Sequence, residues 1–308
     1  TSEVAESIQT MRAGGQIVEY VPLGVTAVIS PWNYPLAMAN NLIIPALVAG
    51  NTVVFKPSEE TPLIAQEFAD TLNEVLPTGV LQIVQGGRDL GKALVEADVN
   101  MIAFTGSQNA GKDIMRRAAG SLKRLVMELG GNDPMIVLPD ADVSRAAKFA
   151  VASSYENAGQ MCTSTERLYV HERIADQFEA HVAAIAQRYQ IGPWHQKGVN
   201  IGPIINEKQR KNIIAHIDDA ISKGARVLHG GQDHPEHYIT PTVLADVTSQ
   251  MLPAREETFG PVVAISRYTE IDDAVTQAND SDFGLGAVVF GGDTAVDVGR
   301  HLEAGMVG

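Results

Sequence analysis

From Gly24 onward, short β-branched runs alternate with stretches in which apolar residues recur every three or four positions. The first pattern predicts strands and the second helices. In chain order it predicts a strand over Val25–Ile29, a helix over Leu36–Val48, a strand over Thr52–Phe55 and a helix over Pro62–Val75. There follow strand Leu81–Val84, helix Asp89–Ala97, strand Met101–Phe104, helix Gly111–Ala119 and strand Lys123–Leu129. Strands and helices alternating at this spacing predict an α/β chain built on a parallel, doubly wound sheet. Right-handed crossovers would then gather the loops that follow the strands along one edge, where ligands bind.

A second set opens near Pro134 with strand Met135–Leu138, helix Val143–Asn157, strand Arg167–Val170 and helix Ile174–Tyr189. Helix Lys208–Lys223 and strands Thr240–Leu244 and Val262–Arg267 come next. Helix Asp272–Asn279, strand Gly286–Phe290 and helix Thr294–Glu303 close the chain. The turn-forming run Gly130-Gly131-Asn132-Asp133-Pro134 marks the join between the two sets. The opening Ile17–Pro22 alternates like an edge strand, and no internal repeat or low-complexity segment is present.

Composition narrows the function. The 308 residues are 45% hydrophobic and 19% charged, an ordinary profile for a globular chain long enough for two domains. A net charge of −14 with no basic run argues against a nucleic-acid or anionic-membrane partner. No apolar stretch is long enough to cross a bilayer, and no secretory signal precedes the first strand, so a cytoplasmic location is expected. The chain begins at Thr1 without an initiator methionine and stops at Gly308 just after a predicted helix, which suggests that both ends are truncated.

Cys162 is the only cysteine. It cannot form an internal disulfide or share a thiolate metal cage, which leaves a buried small hydrophobe or a nucleophile. Burial is the commoner fate of an isolated thiol, but the small and amide residues of Asn157-Ala158-Gly159-Gln160-Met161 read as a loop. Other segments carry possible chemistry. Phe104-Thr105-Gly106-Ser107 follows a strand and opens a helix, a place where backbone N–H groups favour phosphate, although an ordinary turn has the same composition. Lys56 and Glu59 end an earlier strand at the same edge, where they suit the hydroxyls of a ribose or form a simple surface pair. Asn33, fixed between Pro31 and Pro35, offers an amide donor for an oxyanion or a local turn bond. Glu128 ends an apolar strand, a position that suits a general base or a paired structural carboxylate.

Together these segments resemble the aldehyde dehydrogenase superfamily over nearly the whole chain. Pro31-Trp32-Asn33-Tyr34-Pro35, Lys56-Pro57-Ser58-Glu59, Phe104-Thr105-Gly106-Ser107 and Glu128-Leu129-Gly130-Gly131-Asn132 match its motifs in order and spacing. So do Gly159-Gln160-Met161-Cys162 and Glu256-Glu257-Thr258-Phe259-Gly260-Pro261-Val262. The resemblance implies a Rossmann-type cofactor domain over residues 23–130 and an α/β catalytic domain over 131–308. Residues 1–22 would be the remnant of an oligomerisation hairpin, implying a homodimer or homotetramer.

It also implies roles. Cys162 would be the nucleophile, Asn33 the oxyanion donor and Glu128 the base that activates the deacylating water. Lys56 and Glu59 would hold the adenine ribose, Gly106 and Ser107 the pyrophosphate, and Glu257 with Phe259 the nicotinamide ribose. Trp32, Ser58 and Gly130 complete the implied cofactor set. The implied cofactor is NAD, with NADP as the alternative. Tyr34, Met38, Asn41, Met161 and Thr163 would line a substrate funnel for a small aldehyde.

A semialdehyde is the leading substrate reading, although Asn41 stands where family members specific for succinate semialdehyde tend to carry an arginine. A CoA-acylating dehydrogenase is the nearest rival, and the intact Glu128 motif argues against it. A cysteine–histidine hydrolase fits poorly, because every histidine lies at His171 or later, outside the motif loops. A non-catalytic dinucleotide-binding protein would not need Cys162, Glu128 and Asn33 together. No metal site is expected; the spacing of His234 and His237 reads as an exposed loop.

Overall fold

The β-branched runs of the first half pair in parallel, as strands covered on both faces do. The computed structural model describes residues 10–13, 16–231 and 237–308. The chain divides into two compact units, Thr1–Leu129 and Gly130–Gly308, each with its own sheet.

In the first unit, β1 (Thr10–Ala13) and β2 (Gln16–Glu19) form an antiparallel pair of their own. The strand expected over Ile17–Pro22 therefore ends earlier, and residues 1–9 and 14–15 of the expected hairpin lie outside the described residues. The main sheet comprises β3 (Val25–Ile29), β4 (Thr52–Lys56), β5 (Leu81–Ile83), β6 (Met101–Gly106) and β7 (Arg124–Leu129). Its order is β5-β4-β3-β6-β7, with every pair parallel. Helices α1 (Pro35–Val48) and α2 (Pro62–Asn73) cover one face through Ile43, Ala65 and Ala69 against Val28, Val53 and Phe55. Helices α3 (Arg88–Glu96) and α4 (Gln108–Ala119) cover the other, where Leu94, Val95 and Ile114 meet Ala27, Ile102 and Phe104. Pro35 and Pro62 begin α1 and α2, where a missing N–H costs nothing. Strand order reverses between β3 and β6, so the loops leaving their carboxyl ends part and open a crevice.

The second unit has a seven-stranded sheet of order β10-β11-β12-β9-β8-β13-β14. Its strands are β8 (Asp133–Val137), β9 (Thr165–His171), β10 (Arg226–His229), β11 (Thr242–Ala245), β12 (Val262–Tyr268), β13 (Gly286–Phe290) and β14 (Met306–Val307). All pairs are parallel except β10 with β11. Helices α5 (Val143–Tyr155), α6 (Glu172–Ala186) and α7 (Glu207–Ser222) build the larger core with Val137, Leu168 and Val170. Helices α8 (Ile271–Asn279) and α9 (Ala295–Gly299) close the opposite face on Ile136, Leu138 and Tyr169. Every residue of β8 and β9 is buried, including the charged pair Glu166 and Arg167 of β9.

Three expectations change. The join expected over Gly130–Pro134 narrows: the second unit begins at Gly130, and Asp133 and Pro134 already belong to β8. Strand β10 was not expected, because Arg226–His229 is a half-exposed edge with no apolar run. The helix expected over Thr294–Glu303 is only one turn and a half, since a turn at Arg300–Leu302 redirects the chain into β14. Among the described residues, no helix is long and apolar enough to cross a membrane. Trp194 is 90% exposed on a loop and meets the His195 ring edge-on.

Phe178 on α6 is fully buried in the larger core. Phe178→Ala is expected to lower unfolding stability by about 3–5 kcal/mol, measured by urea denaturation. A loss below about 1 kcal/mol would mean that α6 does not pack as described.

Candidate functional site

The first unit places its singled-out residues at the carboxyl edge of its sheet. Ser30–Tyr34 leaves β3, Lys56 ends β4, Gly106 and Ser107 leave β6, and Glu128 lies one residue before the end of β7. Trp32, Asn33 and Tyr34 are half-buried, and Tyr34 stands immediately before the first turn of α1. Met38 follows one turn later, half-buried, and Asn41 is exposed one turn beyond it. Asn33 thus sits in a loop fixed at both ends by prolines, at the crevice where strand order reverses.

Lys56 is only 5% exposed, yet its ammonium donates to the Pro57 carbonyl at 2.9 Å and to Glu59 Oε2 at 3.2 Å. Partial burial opposes ionisation of Glu59, but a backbone hydrogen bond and the Lys56 ammonium outweigh it and hold the carboxyl below its ordinary range. The Ser58 hydroxyl is turned inward and accepts the Glu60 N–H at 3.3 Å. Gly87 and Gly91, at the start of α3, face this pair without side chains: a methyl at Gly87 would lie 3.6 Å from Glu59 Oε1, and one at Gly91 3.9 Å from Lys56 Cδ. A methyl at either place would meet the pair only at ordinary contact distance, and neither glycine was singled out in the sequence.

Ser107 caps α4, its hydroxyl accepting the Ala110 N–H at 3.4 Å. The glycines here serve packing first. A methyl at Gly106 would lie 2.6 Å from the Phe104 ring, and one at Gly111 2.6 Å from Leu129 Cδ2. Glu128 is half-buried, and the Thr105 hydroxyl on the neighbouring strand donates to its Oε2 at 3.4 Å.

The second unit uses the opposite edge of its sheet. The loops that enter β8, β9 and β12 carry Gly130–Asn132, Gln160–Ser164 and Glu256–Pro261. Three consecutive left-handed residues, Asn157 (φ 50°), Ala158 (φ 59°) and Gly159 (φ 71°), turn the chain into the cysteine loop. Two of them are not glycine, a strain that buried contacts must hold in place. Gln160, 4% exposed, does so: its amide donates to Asn157 O at 3.1 Å and its carbonyl accepts the Ile205 N–H at 2.9 Å. A methyl at Gly159 would fall 2.0 Å from the Gly260 carbonyl oxygen, so the cysteine loop and the Glu257 loop touch backbone to backbone.

Cys162 is half-buried between Met161 and Thr163, which are half-buried too. The Cys162 carbonyl lies against Gly131, where a methyl would come within 2.3 Å of it. Glu257 reaches the same place: its Oε1 accepts the Gly131 N–H at 3.0 Å, and a methyl at Gly130 would collide with its carboxyl at 2.4 Å. Phe259, half-buried, adopts φ 52° two residues later.

Around this group lies a buried polar set that the sequence did not reveal. Burial, aided by Asp133, pushes the Glu257 carboxyl up to about 7 against the Gly131 hydrogen bond. Burial likewise pushes Asp133 up to about 7, opposed by the Gly286 N–H and by Arg167. Glu166 accepts the N–H groups of Thr258 and Phe259, each at 2.7 Å, while burial and then Glu257 push its carboxyl upward. Arg167, beside it, donates to the carbonyls of Asn132, Gln277 and Ala278 at 2.7, 3.3 and 3.0 Å. Burial pushes His216 down, keeping a neutral ring whose Nδ1 lies 3.1 Å from Thr258 Oγ1. One signal was available: Glu166 and Arg167 are adjacent charges at the start of an otherwise apolar run. Within each unit the expected residues share one sheet edge, Asn33, Lys56, Glu59, Ser107 and Glu128 in the first and Gly130, Met161, Cys162, Thr163, Glu257 and Phe259 in the second. Among the described residues, no three His, Cys, Asp or Glu side chains are placed to hold a metal ion. His234 lies outside the described residues.

The aldehyde dehydrogenase family model matches residues 2–308. The chain is 40% identical over 299 residues to a mitochondrial aldehyde dehydrogenase of Leishmania tarentolae, covering 94% of this chain and 60% of that protein. It is likewise 40% identical over 299 residues to the succinate-semialdehyde dehydrogenase [NADP(+)] of Escherichia coli, covering 95% and 62%. Its fold is similar to the crystal structure of an aldehyde dehydrogenase from Brucella melitensis biovar abortus, with TM-score 0.95, 39% identity, and coverage of 100% of this chain and 66% of that one. A Pseudomonas syringae aldehyde dehydrogenase in complex with NAD+ and octanal gives TM-score 0.94 at 38% identity, covering 99% and 66%. The chain therefore spans about three fifths of the length of the relatives it matches.

The raised Glu257 carboxyl makes a pH-dependent prediction. Below its ordinary value of 4.5, folded and unfolded chains both hold the proton; between 4.5 and about 7 only the folded chain does, so stability falls as pH rises, and above about 7 the penalty is constant. Glu257→Gln keeps an acceptor for Gly131 and removes the ionisation. The variant's melting temperature is expected to gain on the parent's as pH rises from 4.5 to 7, reaching up to about 3 kcal/mol of added stability. A pH-independent difference in a thermal-shift series would contradict the raised value.

Proposed function

The chain belongs to the aldehyde dehydrogenase family, and from that premise we propose that the protein oxidises an aldehyde to its carboxylic acid with NAD. The single observation that carries the reading is the half-buried Cys162 in a loop braced on both sides, backed against Gly131 beside Glu257. In this reading the first unit is the cofactor domain and the second the catalytic domain.

The Cys162 thiolate adds to the aldehyde carbon, forming a C–S bond as the carbonyl pair moves onto oxygen. The Asn33 amide and the Cys162 backbone N–H donate to that oxyanion. A bound nicotinamide cofactor would supply the hydride acceptor for this carbon, and Cys162 would be left joined to the acyl group as a thioester. Glu128 takes a proton from water, the hydroxide adds to the thioester carbon, and the thiolate departs as the acid forms. The Thr105 hydroxyl bond to Glu128 orients one carboxyl oxygen for this work.

The cofactor fits the residues present. Lys56 and Glu59 form a donor–acceptor pair, open at its Glu59 end, that suits the adenine ribose, and Ser58 shapes the turn between them. Gly106 and Ser107 open α4 for the pyrophosphate, while Trp32, Gly130, Glu257 and Phe259 serve the nicotinamide end. Glu59, held as a carboxylate, would repel a 2′-phosphate, which favours NAD over the NADP(+) in the name of the Escherichia coli relative. Tyr34, Met38, Asn41, Met161 and Thr163 are assigned to the substrate funnel. Their mixed polarity suits a small polar aldehyde, with a semialdehyde as the leading member. The β1–β2 pair supports a homodimer or homotetramer, and a catalytic thiol suits a reducing compartment such as the cytoplasm.

Two experiments on the full-length protein test this. Cys162→Ala is expected to abolish NADH formation with a panel of aldehydes while calorimetry still detects NAD binding. Glu128→Gln should give a stoichiometric NADH burst followed by a steady rate about 10²–10⁴-fold lower. Equal loss of burst and steady state would remove the water-activating role. Separately, Glu59→Gln should raise kcat/KM with NADP roughly tenfold relative to that with NAD. An unchanged ratio would mean that the carboxylate does not select the cofactor.

A further inference from the structure

Glu166 is a carboxyl with 3% exposure, on the same strand that follows the cysteine loop and four residues beyond Cys162. Its two oxygens are divided between two consecutive main-chain amides. Oε2 accepts the Thr258 N–H and Oε1 the Phe259 N–H, each at 2.7 Å, and the Asn132 amide adds a third donor to Oε2 at 3.3 Å. Successive N–H groups converge on one carboxylate where the chain turns, and Phe259 makes this turn in the left-handed region at φ 52°. A bulky residue does not hold that conformation unaided.

The carbonyls of the same two residues are held from the other side. Gln209 on α7 donates to Thr258 O and Phe259 O, both at 3.1 Å, and the Asn132 amide donates to Glu256 O at 2.7 Å. Peptides on both sides of Glu257 are thus fixed, and Glu257 itself is left to reach Gly131. A buried acid in an apolar strand costs folding free energy that an aliphatic side chain would not. No aliphatic side chain accepts two amides, and an amide side chain accepts one while opposing the other with its own N–H groups.

We propose that Glu166 is a positioning residue: it clamps the Thr258 and Phe259 amides so that Glu257 and Phe259 are presented to the nicotinamide half of the cofactor in step with the loop of Cys162. The inference rests on the reading of Glu257 and Phe259 as cofactor contacts given above. Its consequence is specific. Loosening the clamp should impair cofactor use far more than aldehyde binding, because its main-chain bonds go to Thr258 and Phe259 of the Glu257 loop.

The test uses the full-length protein and the variants Glu166→Gln, Glu166→Asp, Glu257→Gln and the double Glu166→Gln/Glu257→Gln. Hydrogen exchange is followed at the Thr258 and Phe259 amides, alongside stopped-flow NADH formation and KM for NAD and for aldehyde. Glu166→Gln is expected to speed exchange of those amides about tenfold or more and raise KM for NAD about tenfold, with KM for aldehyde changing less than about twofold. Glu166→Asp, which keeps two acceptors, should recover part of both effects. Because Glu166 acts through the Glu257 loop, the double variant should be no worse with NAD than the poorer single variant, within about twofold. Unchanged amide exchange in Glu166→Gln overturns the clamp. Multiplying rather than merging effects, or equal damage to both KM values with a lowered melting temperature, overturns the positioning role. Should the parent form no NADH from any aldehyde while the exchange result holds, the functional reading has failed, and Glu166 is a structural brace without a part in the reaction.

Discussion

Carboxyl groups drawn out of water and held by main-chain amides govern the second unit. Glu166, Glu257 and Asp133 each take backbone N–H groups, from Thr258 and Phe259, from Gly131, and from Gly286. Leaving such a group unpaired in the interior costs several kilocalories per mole, so these bonds dictate where the loops run. Glycine is required where the acids approach: at 130, 131 and 286 a methyl would strike Glu257 or Asp133 oxygens within 2.6 Å. Arg167 is the mirror image, with its guanidinium directed to carbonyls at the end of α8 and at Asn132. Adjacent acid and base on β9 thus project to alternate sides of the sheet and are each bonded mainly to backbone, not to one another.

The two units apply parallel-sheet geometry in opposite senses. In the first, the useful loops leave the carboxyl ends of strands, where a reversal of strand order parts them. In the second, they enter the amino ends of β8, β9 and β12, three neighbours in the sheet. Entering loops on adjacent parallel strands are forced together rather than apart, which is why Gly131 can touch Cys162 and Gly159 can touch Gly260. The first arrangement makes an open crevice. The second makes a tight junction that holds a thiol still.

Most of the elements were legible from periodicity, because the strands are β-branched and the helices amphipathic. The failures share a cause: β10 and α9 depend on edge pairing and a local turn, neither of which leaves an apolar pattern. The motifs named the residues of the candidate site but not what supports them. Gly106 reads as a phosphate cradle in sequence, which gives no sign that a side chain there would also meet the Phe104 ring. Glu166, Asn132 and Gln209 went unnoticed because their partners are backbone atoms up to 124 positions away, and backbone atoms have no sequence signature.

The two tryptophans of this chain occupy very different surroundings. Trp194 lies open to water, while Trp32 is half-buried in the loop leaving β3 at the crevice of the first unit. Their emission should therefore separate, with the shielded indole at shorter wavelength and the exposed one contributing a constant red background. The molecule so carries its own optical reporter: a change confined to the blue side of the spectrum speaks for the crevice alone, and no label has to be introduced to read it.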